Sequence, residues 1–294
     1  MEDLRNIARI FTAPLDFINK YFKALLFLFI VLFVVLSSVD EVESSPPNVA
    51  KLHLTMPIYE SESFAQGVKK IKENKNIKGV LLVIDSPGGL VGASIEIADM
   101  IKDLAQKMPV IAYVQGSMAS GSYYAGMYAS EIYANRGALI GSVGVIFSGV
   151  NVEELMQKVG VKEQGIKAGA YKEIGTMMRQ WSKEERKFLE ELLQEQYAMF
   201  YTDVLQARQD KLKSKDYHDF AEGKVFSANK ALELGLIDKV ASMQEAMDLL
   251  QQKVGVDELI WLEKDKFETY MDKLFDTMSS KILSLALPSL KATL

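Results

Sequence analysis

Short apolar runs alternate with stretches of helical spacing over most of this 294-residue chain. The run GVLLVI at 79–84 is apolar at every position, which is typical of a strand buried on both faces. Because such runs alternate with amphipathic helices, the pattern predicts parallel β-α-β units and an α/β fold. The predicted strands are 49–56, 79–84 and 110–114, and the predicted helices are 63–73, 94–107 and a long helix that begins at a capping box of Ser182 and Glu185 and ends near Asp210.

A longer apolar segment, YFKALLFLFIVLFVVLSSV at 21–39, precedes the folded part. As a helix it would span roughly 28 Å, close to the hydrocarbon thickness of a bilayer. It predicts one retained transmembrane helix, with a cleaved signal peptide as the alternative. Basic residues precede the segment and none follows it before Lys51, so 1–20 should be cytoplasmic and the rest extracytoplasmic. Residues 40–48 are predicted to be a polar linker.

Composition narrows the possible chemistry. The formal net charge is −5 and there is no long basic run, so we expect no nucleic-acid binding. The chain contains no Cys, which excludes a disulfide scaffold, a Cys-ligated zinc site and a cysteine protease. His53 and His218 are its two histidines, and we predict both to be packed or surface residues instead of catalytic bases. We expect neither a metal nor a cofactor.

Two turns rich in small residues follow the second and third predicted strands, at the strand ends where ligands bind in such folds. The first, DSPGG at 85–89, could expose backbone N–H groups to an oxyanion or be a plain turn. The second, QGSMASGSYYAG at 115–126, contains Ser117, Ser120 and Ser122 near a helix start. A serine there could be a nucleophile or a helix cap, and local sequence barely separates the three.

A serine nucleophile needs a base, and a lysine can serve where burial leaves its amine neutral. The segment IKAGAYKEIG at 166–175 is small and Gly-rich on both sides of Lys172, which suits a lysine in a tight site. The competing interpretation is an ordinary solvated lysine. One S-x-x-K match, from Ser227 to Lys230, is better explained by a serine that caps a helix.

The chain resembles the signal peptide peptidase A (SppA) family, in its short single-copy form. The resemblance is carried, in the family's order, by DSPGG at 85–89, MASGSYYAG at 118–126, IGSVGVI at 140–146, AGAYKEIG at 168–175 and GKVFSANKALELGLID at 223–238. Three positions depart from the family's pattern, since Ser122, Ala168 and Glu173 stand where Gly, Ser and Asp are usual.

The resemblance implies a ClpP/crotonase-like fold at 49–255 in a membrane-anchored serine endopeptidase of the bacterial inner membrane. It implies Ser120 as the nucleophile and Lys172 as the general base. The oxyanion hole would be the backbone amides of Gly89 and Gly121. Family members form homo-oligomers whose dyads are shared between subunits, and the implied substrates are residual signal peptides.

Two further regions receive predictions. By the resemblance, Ser142 in IGSVG contacts the base lysine. Residues 256–294 carry apolar positions at helical spacing and are predicted to be a helical extension, packed on the body or a neighbouring subunit, or lying on the membrane.

Three alternatives share parts of this pattern. A Clp-type peptidase would need a His where Val145 stands. A related anchored Ser-Lys peptidase with another client, such as SohB, would use the same dyad. A non-catalytic crotonase-like scaffold would be favoured by the loss of Ser120 or Lys172, and both are present.

Overall fold

The computed structural model describes residues 20–24, 26–31 and 45–262. Residues 20–24 and 26–31 are helical, and none of the helices in the described ranges is long and apolar enough to span a bilayer. Much of the predicted anchor at 21–39, and nearly all of the segment 1–20, lie outside the described residues. The same holds for part of the linker and for the extension beyond residue 262.

The part of the chain at 45–262 contains one seven-stranded sheet. Five strands lie parallel in the order β1-β2-β3-β4-β7, and β3 also pairs in parallel with β5, which pairs antiparallel with β6. This arrangement confirms the predicted parallel α/β fold. The strands are β1 Val49–Thr55, β2 Gly79–Ser86, β3 Val110–Ala119, β4 Glu131–Ala134, β5 Leu139–Gly141, β6 Val225–Ser227 and β7 Lys239–Val240.

Helices connect the strands and cover both faces of the sheet. The capping box at Ser182 and Glu185 opens α5 as predicted. Ser227 caps α7 through the Lys230 N–H, which confirms the structural interpretation of that S-x-x-K match. The helices are α1 Glu62–Glu73, α2 Val91–Lys107, α3 Gly121–Gly126, α4 Glu153–Lys158, α5 Lys183–Ala207, α6 Tyr217–Phe220, α7 Ala228–Leu234 and α8 Met243–Val254.

The continuous apolar run of β2 is explained by helices on both sides of it. Leu82 and Ile84 face the larger core, which includes α1 and α2, whereas Leu81 and Val83 face the smaller core under α8. Burying one such side chain contributes about 1.5–3 kcal/mol. A strand with an apolar residue at every position is therefore held between two helical layers.

The third strand is longer than its sequence predicts. The prediction ended it at residue 114, but β3 continues to Ala119 and changes partner, from β4 in its first half to β5 in its second. Asp85 enables this, because its carboxylate accepts the Ser117 N–H at 2.9 Å. A Cβ at Gly116 would lie only 2.5 Å from the same carboxylate, so glycine permits the approach. The strand thus ends directly before Ser120.

Candidate active site

Ser120 occupies a strained turn between β3 and α3. Its φ of 53° and ψ of −124° are unusual for a residue with a side chain, and its N–H donates to the Gly141 carbonyl at 2.8 Å. Such strain costs about 1–3 kcal/mol and persists where it lifts a side chain into a functional position. The Ser120 hydroxyl does not cap α3, and it has no hydrogen-bond partner within the described part of the chain. It is therefore available to a substrate.

The two neighbouring serines are placed differently from Ser120. Ser122 is fully buried, and its hydroxyl lies 2.7 Å from the Ser86 carbonyl and accepts the Ala119 N–H at 2.8 Å. Ser117 lies inside β3 and lines neither of the pockets beside Ser120. Of the three serines that local sequence left open, Ser120 is the one that lines these pockets, because Ser122 is buried and Ser117 lies outside them.

Two glycine turns meet beside Ser120. Gly88 has a φ of 97°, and a Cβ there would lie 2.6 Å from the Gly121 nitrogen and 2.8 Å from the Ser120 Cβ. A Cβ at Gly121 would overlap the Ser94 hydroxyl and lie 3.1 Å from the Gly89 nitrogen. Neither the Gly89 nor the Gly121 N–H has an acceptor among the described residues. The turn therefore offers two free amide donors next to Ser120, as an oxyanion site requires.

The position of Gly89 is set by a short bridge to the loop after β1. The Ile58 N–H donates to the Gly88 carbonyl at 2.9 Å, and the Leu90 N–H donates to the Ile58 carbonyl at 2.8 Å. The Gly89 N–H consequently points away from this bridge. The first glycine turn is thus fixed from one side by Ile58 and from the other by the Ser120 turn.

An apolar pocket opens on one side of Ser120. Its walls include Ile95, Val145, Met199 and Phe200, and it also contains Tyr124. The Tyr124 ring lies 4.9 Å from that of Phe200, and its hydroxyl donates to the Asp203 carboxylate. Burial and the nearby carboxylate raise the pKa of Tyr124, so the phenol stays protonated as a donor. Sequence reasoning missed both Tyr124 and Asp203, although Tyr124 lies one helical turn after Ser120.

A wider cleft, which shares part of its lining with the apolar pocket, contains Ser142. Ser142 has a φ of 52°, and its N–H donates to the Lys224 carbonyl at 2.7 Å. The cleft is also lined by Tyr197, Glu222 and Gly223. The structure therefore brings Gly89, Gly121 and Ser142 together around Ser120, as the family resemblance implies.

Lys172 does not join this group within one chain. It is exposed, it lies in a turn where its N–H donates to the Gly169 carbonyl at 3.2 Å, and it lines neither pocket beside Ser120. Its ammonium has no hydrogen bond or ion pair with a described residue. Its role as the base stays a prediction.

The histidines also lie elsewhere. His53 lines a separate pocket with Met56 and Tyr59, and the His218 Nδ1 lies 2.7 Å from the Asp216 carboxylate on the protein surface. Within the described ranges, no group of three or more His, Asp or Glu side chains could hold a metal ion. Val145, where a Clp-type peptidase would need a histidine, forms part of the apolar pocket wall.

Comparison with known families identifies the family of the chain. The model of peptidase family S49 matches residues 102–257, more than half of the chain, and this range contains Ser120, Ser142 and Lys172. The chain belongs to peptidase family S49. The Clp protease model also matches residues 58–140, which supports a ClpP-like fold for this S49 peptidase.

Curated relatives point the same way. A protein from Synechocystis named as a protease is 35% identical over 216 residues, which cover 73% of this chain and 77% of that protein. One from Methanocaldococcus jannaschii, also named as a protease, is 34% identical over 224 residues, 71% of either chain. A protein from Enterococcus faecium named signal peptide peptidase SppA is 34% identical over 196 residues, 66% of this chain and 56% of that protein.

These matches confirm the resemblance to SppA-like S49 peptidases that the motifs predicted. They also support its classification as a serine-type peptidase.

Proposed function

We propose that this S49 peptidase is a Ser-Lys endopeptidase in which Ser120 is the nucleophile and Lys172 of a neighbouring copy is the general base. The observation that carries the proposal is the strained Ser120 turn, which presents a free hydroxyl beside two unpaired backbone amides. Gly89 and Gly121 would supply those amides. A second hydroxyl, that of Ser142, lines the same cleft and would orient the incoming lysine.

The proposed reaction follows from these positions. The neutral Lys172 amine accepts the Ser120 proton while Oγ attacks the peptide carbonyl carbon. The carbonyl oxygen becomes an oxyanion that accepts hydrogen bonds from the Gly89 and Gly121 amides. The Lys172 ammonium then protonates the leaving amine, and the resulting acyl-enzyme is hydrolysed by water that Lys172 activates.

A neighbouring copy is favoured because the segment that contains Lys172 exposes many apolar side chains. Between residues 146 and 177 the chain exposes a series of large apolar side chains, and Ile146 alone is 86% exposed. A surface of this kind is typical of an interface. Covering it with a second copy would also desolvate a lysine, as base function requires. The exposed members of this apolar surface are Ile146, Phe147, Val150, Leu155, Val159, Val161, Ile166, Tyr171 and Met177.

For location and substrate, we propose an anchor at 21–39 in the bacterial cytoplasmic membrane, with the peptidase part on the outer side, and residual signal peptides as clients. The apolar pocket beside Ser120 suits an apolar side chain, and signal peptides are rich in these. The name of the Enterococcus faecium relative points to the same substrate class.

The test uses the full-length chain in detergent and an apolar fluorogenic peptide. Ser120→Ala and Lys172→Ala should each lower kcat/KM by about 10²–10⁴-fold. Ser117→Ala and Lys162→Ala are matched controls, because neither residue lines the pockets beside Ser120. Near-normal turnover of Lys172→Ala would refute the proposed Ser-Lys dyad.

Mixing the two inactive variants tests whether dyads are shared. In a ring built at random from equal amounts of both, about one site in four would combine an intact serine with an intact neighbouring lysine. Co-expressed Ser120→Ala and Lys172→Ala chains should therefore regain about a quarter of wild-type activity. No recovery in mixed oligomers verified by mass spectrometry would place both groups in one chain.

A further inference from the structure

The cleft that contains Ser120 and Ser142 carries a negative charge and no positive charge among its described lining residues. Its described lining consists of small and apolar residues, hydroxyl groups and one charged side chain, Glu222. The cation nearest in sequence, Lys224, does not neutralise it, because the Lys224 ammonium donates to the His218 carbonyl at 2.7 Å. Glu222 is therefore the one charge that a peptide in this cleft would meet from the described residues of this chain.

The chain holds Glu222 in a defined position. Glu222 has a φ of 61°, an unfavourable value for a residue with a side chain, and Gly223 follows with a φ of 64°. The Tyr197 hydroxyl donates to Glu222 Oε1 at 2.8 Å and accepts the Glu222 N–H at 2.9 Å. Burial, foremost, raises the pKa of Tyr197 to about 12, so this hydroxyl remains a donor.

The turn that carries Glu222 is continuous with the site. The Gly223 N–H donates to the Val143 carbonyl at 2.9 Å, and the Lys224 carbonyl accepts the Ser142 N–H at 2.7 Å. The second carboxylate oxygen, Oε2, has no partner among the described residues. The wall of the cleft thus contains a carboxylate whose Oε1 is held by Tyr197 and whose Oε2 is free.

We propose that Glu222 is a specificity-determining residue that binds a lysine or arginine side chain of the peptide substrate. The inference rests on the proposed peptidase function of Ser120. Glu222 is exposed to the open cleft, so a cationic side chain of a bound peptide can reach its carboxylate and is attracted to it across a distance that salt screens. The free Oε2 can accept a charge-assisted hydrogen bond from an ammonium or guanidinium group.

The base lysine of a neighbouring copy is a poorer partner for Glu222. A base must give up its proton before the serine attacks, whereas an adjacent carboxylate stabilises the protonated ammonium. A neutral hydroxyl, such as that of Ser142, suits a base lysine better. The substrate is therefore the cation that Glu222 would recognise.

The experiment compares peptides that differ in a single charge. Fluorogenic peptides carry either lysine or Nε-acetyl-lysine, scanned over the positions that flank the cleaved bond, and are assayed with the full-length enzyme in detergent. Wild type should prefer lysine at one position by about tenfold in kcat/KM, and the preference should weaken in high salt. In Glu222→Gln the lysine and acetyl-lysine peptides should be cleaved at equal rates. Glu222→Lys should instead prefer a third peptide, which carries glutamate at the same position. Glu96→Gln, at an exposed glutamate of α2 outside both pockets, should retain it.

Several outcomes would overturn the inference. Equal rates for both peptides at every position, or an unchanged ratio in Glu222→Gln, would do so. A shifted pH-rate profile on the acetylated peptide with an intact ratio would mean that Glu222 acts on the base instead.

Failure of the peptidase function gives a different result. Acetylated peptides cleaved equally by wild type and Ser120→Ala would refute the nucleophile alone. If no peptide is cleaved, fluorescence anisotropy of the same peptides on Ser120→Ala decides the subsite, since the lysine form should bind about tenfold more tightly. Equal binding would overturn it.

Discussion

Ser120 lies in a region that its own chain packs closely, whereas Lys172 lies in a region that its own chain leaves exposed. Around Ser120 the neighbours are glycine turns, a buried serine and the Gly141 carbonyl, and all come from the same chain. Around Lys172 the backbone forms turns whose apolar side chains face outward.

The Lys172 region is nevertheless anchored at one end. Arg179 donates two hydrogen bonds to Glu185, at 2.7 and 2.8 Å, and the Trp181 Nε1–H donates to the Thr176 carbonyl at 2.8 Å. This anchor joins the segment to the start of α5 and leaves Lys172 itself uncovered. Under the proposed mechanism, this contrast means that the Ser120 site is preorganised within one chain, whereas Lys172 would reach a desolvated position only when a second copy covers it.

The largest effect should come from disrupting the turns around Ser120, which are packed entirely by their own chain. In Gly88→Ala, the new Cβ would lie 2.6 Å from the Gly121 nitrogen, at a φ of 97°. Displacing the amides should lower kcat by about 10²-fold. Gly92→Ala is the control, since no atom lies within 4 Å of the Cβ position there. Similar kinetics of the two variants would refute the tight contact.

A smaller effect is expected when the anchor of the Lys172 region is removed. Arg179→Ala leaves the nearly buried Glu185 without its guanidinium partner, so the melting temperature should fall by several degrees. Activity should fall as well, while inhibitor binding to the Ser120 pocket is retained. Lys187→Ala, which removes an exposed cation of α5, should change neither quantity. Equal losses in both variants would argue against the anchor.

Acid should loosen the same region. The Arg179 guanidinium and the Ser182 N–H hold the pKa of Glu185 at about 2, below its usual 4.5. Because the folded value is lowered, the stabilisation is complete above about pH 4.5 and is lost as the pH falls toward 2. Trp181 fluorescence, measured in a Trp261→Phe background, should follow this loss. Glu185→Gln should remove the dependence, and an unchanged profile in that variant would contradict it.

Ser122→Ala distinguishes a structural serine from a nucleophile. The variant loses the bonds to Ser86 and Ala119, so we expect a destabilisation of about 1–2 kcal/mol by urea unfolding. Activity should persist at a reduced level. Complete loss of activity in a folded variant would return Ser122 to the list of nucleophiles.

The smallest effect should be that of Tyr124→Phe. The ring and its contact with Phe200 remain, but the donor to Asp203 is lost, at a cost of about 1 kcal/mol. Because Tyr124 lies in the apolar pocket, the preference among apolar peptide side chains should shift by a few-fold. Asp203→Asn should shift it similarly if the tether matters, and a shift in only one variant would separate the two residues.

The apolar run of β2 and the apolar face of α1 were readable from the sequence, because the spacing of apolar residues within each element shows which positions are buried. The capping box of α5 was also readable from the sequence, since Ser182 and Glu185 are three residues apart. The motifs likewise marked Ser120, Gly89, Gly121 and Ser142 by resemblance, and the structure brings them together.

Contacts between distant residues decided the rest. β3 continues to Ala119, directly before Ser120, because Asp85 reaches Ser117 across 32 residues, and the apolar pocket is shaped by a Tyr124–Asp203 bond across 79 residues. Glu222 enters the cleft only because Tyr197, 25 residues earlier, holds it. No periodic pattern encodes such pairs, since each depends on the register of elements that meet only after folding. The sequence by itself therefore determined the first three strands, the three long helices among the elements it predicted, and the chemistry to look for. The tertiary structure decided which serine is free, which amides are unpaired and which charge faces the cleft, because burial and pairing are properties of the packed chain.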